Sequence, residues 1–192
     1  MMRHSQQLWV GGVVVGVLAI LLGLGLMGGF SSNTGVSAAQ GGSVFAQLSS
    51  LKTQQPTTTG PTLMTFDQID GLSGMGFNPA KPTDIVVQKE GAYLIIAAAQ
   101  LGRSSGESDD YVDLWIRVNG KDVDNSNTRE TIRNAAFTDV LVSQGAGPLK
   151  AGDVIQVAYS VSATGKGLGI IATTPKNEAA IPSIILTVAK LP

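Results

Sequence analysis

The pattern of apolar and polar positions divides the chain into unlike parts. Residues 8–30 (LWVGGVVVGVLAILLGLGLMGGF) run apolar without interruption and hold no charge and no proline. Wound as a helix at about 1.5 Å per residue they make a rod of about 34 Å. That length crosses a hydrocarbon core of about 30 Å with modest tilt. Inside lipid every backbone N–H and C=O must be paired within its own segment, so helix is the expected state despite the glycines and valines. The alternative is a cleaved signal peptide, but the run exceeds the usual h-region of about 7–15 residues. No A-x-A sequence follows directly, and Val36-Ser37-Ala38 comes too late. Residues 31–62 are rich in Ser, Thr, Gln and Gly and read as a tether or stalk, since 54–61 (QQPTTTGP) has almost nothing to bury against its own chain entropy. Within that tether Val44, Phe45, Leu48 and Leu51 recur at helical spacing, which predicts a short helix that needs a partner to pack on.

From residue 63 the period changes to two. Strands are expected at 63–68, 84–88, 92–101, 111–118, 137–143, 153–162, 167–173 and 183–190. In 63–68, Leu63, Thr65 and Asp67 oppose Met64, Phe66 and Gln68; in 111–118 (YVDLWIRV), Val112, Leu114, Ile116 and Val118 oppose Tyr111, Asp113, Trp115 and Arg117. Asn119-Gly120 follows at once, a strong short-range hairpin signal. Loops are expected at 71–82 and 102–110, and at Gly145-Ala146-Gly147-Pro148, Lys150-Ala151-Gly152-Asp153 and Thr174-Pro175. Many short strands with turn chemistry between them predict an all-β antiparallel sandwich over 63–192.

Near the amino terminus, residues 1–7 carry Arg3 and His4, and the next basic residue beyond the apolar run is Lys52. That asymmetry predicts a single-pass protein with its amino terminus inside and its head outside. Gly12, Gly16, Ala19 and Gly23 share one face of the predicted helix, the spacing of small-xxx-small packing, although glycine is common in membrane helices generally. Trp9 falls where an interfacial aromatic anchor belongs.

Four stretches, taken together and in order, resemble the globular head of the C1q/tumour-necrosis-factor superfamily: Gly91-Ala92-Tyr93-Leu94, 114–120 (LWIRVNG), 149–157 (LKAGDVIQV) and 183–191 (SIILTVAKL). The positions that carry the likeness are Gly91, Tyr93, Asn119, Gly120, Gly152 and Asp153. Leu94 and Ile96 stand where that family has aromatics, and Pro182 where it has a phenylalanine-glycine pair, so ligand function does not carry over with the likeness. Similar closing strands also occur in trimeric heads of bacterial and phage surface proteins and in spikes of membrane-containing viruses. The resemblance implies a jelly roll assembled as a homotrimer, with the Tyr93 strand near the axis and with Ala97-Ala98-Ala99 and Tyr159 at close subunit contacts. Core filling within one sandwich is the competing account of those residues.

Composition removes several chemistries. There is no cysteine, so neither disulfides nor thiolate ligands are possible, and the one histidine, His4, precedes the predicted anchor. No Ser-His or Cys-His pair can form in the head, nor a multi-histidine metal site. The net charge of −1 provides no basic face for phosphate backbones, so nucleic acid is not an expected partner. Glycine reaches 24 residues without a G-X-Y period, which excludes collagen. Asp109, Asp110, Asp113, Asp122 and Asp124 are oxygen-rich loop positions of the kind that bind calcium, but 122–130 lacks the EF-hand glycine, with Arg133 at the bidentate glutamate position, and solvated loop charge is the expectation. Asp67 and Asp70 are a conceivable carboxylate pair for glycoside chemistry, and a surface turn is the simpler reading. Gly165-Lys166-Gly167-Leu168-Gly169 has the G-x-G-x-G pattern, but strands flank it where a nucleotide loop needs a helix. No N-x-S/T sequon is present.

The sequence thus predicts a non-enzymatic structural or adhesive protein on a bilayer. It has no catalytic, metal or cofactor residues, and its head meets a protein or glycan receptor or neighbouring coat proteins. A capsid or spike component of a membrane-containing virus or phage, and a tethered carboxylate-dependent hydrolase, are the alternatives.

Overall fold

The computed structural model describes residues 42–192. The predicted anchor, with Trp9, Gly12, Gly16, Ala19 and Gly23, and the tether before residue 42 lie outside them. No helix among the described residues is long and apolar enough to cross a membrane.

All the regular structure described is strand. In chain order the strands are β1 (Phe45–Ser50), β2 (Thr62–Leu63), β3 (Gln68–Ser73), β4 (Met75–Phe77), β5 (Ile85–Val87), β6 (Gly91–Gly102), β7 (Glu107–Val118), β8 (Lys121–Asp122), β9 (Thr128–Asn134), β10 (Asp139–Leu149), β11 (Val154–Val161), β12 (Gly169–Ile170) and β13 (Ile184–Lys190). They form two antiparallel sheets. The first runs β10-β6-β13-β1-β3, with β12 also on β6, and the second runs β4-β5-β11-β7-β8, with β2 on β11 and β9 on β7. From β5 onward the chain changes sheet repeatedly: β5 to β6, β6 to β7, β9 to β10 and β10 to β11 each cross.

Alternation explains why these segments pack as they do. On β6, Tyr93, Ile95, Ala97, Ala99 and Leu101 point inward, and on β13 Ile184, Leu186 and Val188 do so. Across from them stand Val112, Leu114 and Ile116 of β7 and Ile155, Val157, Tyr159 and Val161 of β11, all in one continuous core. The strand expected at 63–68 is broken: β2 ends at Leu63 and β3 begins at Gln68, and the stretch between them is not strand, although it buries Met64 and Phe66. Asn119 and Gly120 take φ of 52° and 75°, the left-handed pair that a two-residue hairpin needs, and β7 pairs β8 through Arg117↔Asp122 and Val118↔Lys121.

Several local expectations are corrected. Val44, Phe45, Leu48 and Leu51 do not form a helix: β1 lies between β13 and β3, and Val44, Ala46 and Leu48 are buried. The helical spacing arose because Phe45 and Leu51, 38% and 45% exposed, belong to a different surface from Leu48. The head therefore reaches back into the stretch read as tether. Gln54 is also tied down: its backbone bridges Ile170, and its side-chain amide both donates to Thr65 O and accepts from Thr65 N at 2.9 Å. The expected loop at 71–82 contains the end of β3 and all of β4, and β7 begins inside the expected loop at 102–110. Of 167–173 only β12 is strand. β10 continues through Gly145-Ala146-Gly147-Pro148 because its partner β6 is equally long, in register from Asp139↔Leu101 to Leu149↔Gly91. β9 was not expected, since TRETIRN buries only Ile132.

Replacing Leu48 by alanine should destabilise the head by about 2–5 kcal/mol, the range for a buried leucine. The same change at exposed Leu51 should stay within about 0.5 kcal/mol. Chemical denaturation of the two variants measures the difference, and equal small effects would return β1 to the tether.

Candidate interaction surface

The two sheets present opposite chemistry to their surroundings. On the first, the positions facing away from the core are Val140, Val142, Gln144, Ala146 and Pro148 of β10; Ala92, Leu94, Ile96, Ala98 and Gln100 of β6; Ile185, Thr187 and Ala189 of β13; and Phe45 and Gln47 of β1. None of them is charged. The ladder sets them side by side in rows, Val142–Ala98–Ile185, Gln144–Ile96–Thr187–Gln47 and Ala146–Leu94–Ala189–Phe45. The Phe45 ring lies over Gly71 on the neighbouring strand, where a Cβ would come within 2.8 Å of it. Val140 is 58% exposed and Val142 41%, so this apolar surface is not covered by the rest of the described head.

The second sheet's outer face is charged and internally paired. Arg129 makes a bidentate contact with Asp113 across the β7–β9 ladder, at 2.7 and 2.8 Å, and its guanidinium lies 3.6 Å from the centre of the Tyr111 ring. That carboxylate keeps Arg129 more firmly protonated than usual. Trp115 Nε1 donates to Asp122 at 2.8 Å, and Arg117 pairs with the same carboxylate at 2.9 Å. Asp109 is held by Arg133 at 3.2 Å. Of the aspartates that suggested calcium, Asp109, Asp113 and Asp122 are thus each taken by an arginine, and among the described residues no group of three or more carboxylate or imidazole side chains converges.

Asp110 serves a different purpose from its neighbours. Arg103, between β6 and β7, has a fully buried side chain that donates from Nε to Ser105 O and from Nη1 to the carbonyls of Ser108 and Ile132 at 3.0–3.2 Å. Its Nη2 sits 3.0 Å from Asp110 Oδ2, an ion pair without hydrogen-bond alignment. Ser108 Oγ donates to the same carboxylate oxygen. The serine bond, with Arg103 and Lys166 adding favourable charge, holds the Asp110 carboxyl below its ordinary value against the opposing effect of burial. The Gly165–Gly169 stretch closes over this end, with Lys166 O accepting from the backbone N–H groups of Ser104 and Ser105 and Gly167 O from Gln55 Nε2. It is a loop between strands.

The residues that carried the family resemblance gather at the opposite end. Asn119 Nδ2 donates to Asp153 Oδ1 and Asn119 Oδ1 accepts from Val154 N, both at 2.8 Å, while Asp153 Oδ2 accepts from Lys150 N at 2.7 Å. These bonds to Asn119 and to the Lys150 backbone lower the Asp153 pKa. Gly152, with φ of 93°, makes the turn and donates to Val87 O. Gly91 opens β6, and Tyr93 is buried with its hydroxyl donating to Lys89 O at 2.5 Å. Tyr93, Ala97, Ala99 and Tyr159 all lie in the core of the single chain, so of the residues expected at subunit contacts only Ala98 faces outward. Burial pushes the Tyr159 hydroxyl up to about 12. Asp67 is engaged by Leu51 N at 2.9 Å and Lys52 Nζ at 3.8 Å, while Asp70 is exposed.

Sequence reading missed two features. Ser126 and Ser143 are buried, and Ser143 Oγ donates to Ser126 O at 2.6 Å, pinning the β10 edge to the turn before β9. An apolar cleft of about 230 Å³ opens beside it, lined by Ile95, Ile116, Val118, Val123 and Leu149, because the inward positions 145 and 147 of β10 are glycine. Short polar residues and glycine give no periodic signal. Comparison with protein-family models and with curated proteins returns no match.

Asp110→Asn should cost about 1–3 kcal/mol by leaving a buried guanidinium without its counter-charge. Because the folded Asp110 pKa is lowered, its contribution is fully present above the unfolded carboxylate value and is lost as pH falls through the folded one. Acid denaturation should therefore begin at higher pH in a variant that retains the charge but lacks the serine bond, Ser108→Ala, than in the wild type.

Proposed function

We propose that this chain is a membrane-anchored structural and adhesive protein whose head is a jelly roll of the C1q/tumour-necrosis-factor type, assembled as a homotrimer. The crossing of consecutive strands between two sheets supports the jelly-roll reading. The observation that carries the assembly is the outer face of the first sheet, uncharged across four neighbouring strands and mainly apolar on either side of the Gln144–Ile96–Thr187–Gln47 row, on a head whose other sheet faces solvent with paired charges. Four strands about 4.8 Å apart, with outward positions repeating every ~7 Å over three to four rows, cover on the order of 400–550 Å². A stable interface takes about 800 Å² from each partner. Three copies turning this face to a common axis bury it in a closed assembly and leave no open edge for further growth. Such a head works by shape and contact.

Light scattering of the full-length chain in detergent should report three copies per particle. Ile96→Lys, a charge at the centre of the face on a side chain that points out of the core, should release monomers with the β-sheet circular dichroism unchanged. A wild-type monomer would sink the proposal.

A further inference from the structure

The chain enters the head at one end of the sandwich. Val44 O accepts from Lys190 N, and Phe45 pairs with Ala189, beside the turns that hold Gly91, Asn119 and Asp153. Residues 1–41 precede this point in the chain. β6 and β10 carry the structure to the far end, about 35–40 Å away at about 3.4 Å per residue. There, between the end of β9 and the start of β10, lies a groove of about 300 Å³ lined by Thr131, Arg133, Asn134, Phe137, Thr138 and Asp139 over buried Ile132.

Phe137 is 65% exposed, the most exposed large apolar side chain of the described head. Local bonds fix its surroundings: Asn134 Oδ1 accepts from Ala136 N at 2.9 Å, and Asp139 Oδ1 from Val140 N at 2.7 Å. Asn134 Nδ2 and Asp139 Oδ2 have no protein partner among the described residues, so an amide donor and a carboxylate acceptor line the same groove as the ring, together with Thr131 and Thr138. Arg133 pairs with Asp109 at 3.2 Å and Asp139 lines the same groove, so the site has no net positive charge to offer a phosphate or sulfate.

From this arrangement we infer that the far end of the head binds a neutral carbohydrate, one sugar ring stacking its C–H face on Phe137 while Asn134 and Asp139 hold adjacent hydroxyls. An aromatic surface flanked by a donor and an acceptor suits an uncharged polyol ring, whose faces are apolar and whose edges are polar. A lipid chain would leave the amide and the carboxylate unpaired. A protein hot spot needs a desolvated cluster, and Phe137 is the only large exposed apolar group in the groove. The inference rests on the proposed assembly only for strength: three grooves at one end multiply a weak single-site affinity.

The test is an array of neutral oligosaccharides, ending in galactose, glucose, mannose or N-acetylhexosamines, printed beside sialylated and sulfated ones and probed with the full-length chain in nanodiscs. Binding to neutral glycans is expected, reduced at least tenfold by Phe137→Ala and by Asn134→Ala, with three copies per particle retained. Ile96→Lys should lose array signal yet keep the wild-type affinity for the same glycan as a free, monovalent ligand in calorimetry. Absence of binding to neutral glycans, preference for the charged ones, or indifference to Phe137→Ala overturns the inference while leaving the assembly standing. Dissociation of the Phe137→Ala particle also overturns it, since the groove is then a contact between copies. Neutral binding that depends on Phe137 in a wild-type monomer upholds the inference and removes the trimer alone.

Discussion

A sheet that is apolar on both faces is the constraint around which this head is arranged. β6 and β13 send Ile95, Ala97, Leu186 and Val188 inward and Leu94, Ile96, Ala98 and Ile185 outward, so pairing these strands with a single second sheet satisfies only half of their surface. Burial of apolar area is the dominant favourable term in folding and in association, and it does not distinguish the two. The inward half closes the sandwich. The outward half carries the same driving force and no charged group to keep it in water.

The two ends of the sandwich are held by polar contacts in place of disulfides, which a chain without cysteine cannot form. At the end where the chain enters, the Asn119 amide grips Asp153, and the Gly152 turn hands its N–H to Val87, tying three connections of the second sheet into one corner. At the far end Arg103 gathers the carbonyls of Ser105, Ser108 and Ile132 around a buried guanidinium balanced by Asp110. Such a buried ion is expensive to strip of its partner, so it fixes one loop conformation and with it the approach of β7 to β9.

Where period-two alternation coincided with strong side chains, the sequence was transparent: YVDLWIRV followed by Asn119-Gly120 is strand and hairpin as read. The misreadings have physical causes. β1 looked helical because Phe45 and Leu51 are apolar yet point outward, and a pattern cannot show that an exposed phenylalanine covers a glycine of the next strand. β9 offered a single buried side chain, and it is joined to β7 by backbone pairing and by the Arg129–Asp113 contact, neither of which leaves a hydropathy signature. Gly145 to Pro148 has turn composition but lies along an equally long β6, so tertiary pairing overrode local preference. The aspartate cluster was legible as charge but not as pairing, because its arginine partners come from elsewhere in the chain, twenty residues or so downstream in the case of Asp109 and Arg133.

Charged residues make up only 14% of the chain, and their placement shows that the neutral face is segregated and not merely diluted. Asp113, Arg117, Arg129 and Arg133 occupy outward positions on the second sheet, and Asp122 joins them from its hairpin. Lys150, Asp153, Lys166 and Arg103 sit at the turns. An even scatter of the same charges over both sheets would have put several on β6, β10 and β13, where a single lysine beside Ile96 would oppose packing against another apolar surface. Keeping charge off the outward positions of those strands confers nothing on an isolated head in water, where it only raises the risk of uncontrolled association. It is an advantage only where the face is covered by another apolar surface, whereas the far-end groove sets polar groups of both kinds around one exposed aromatic ring.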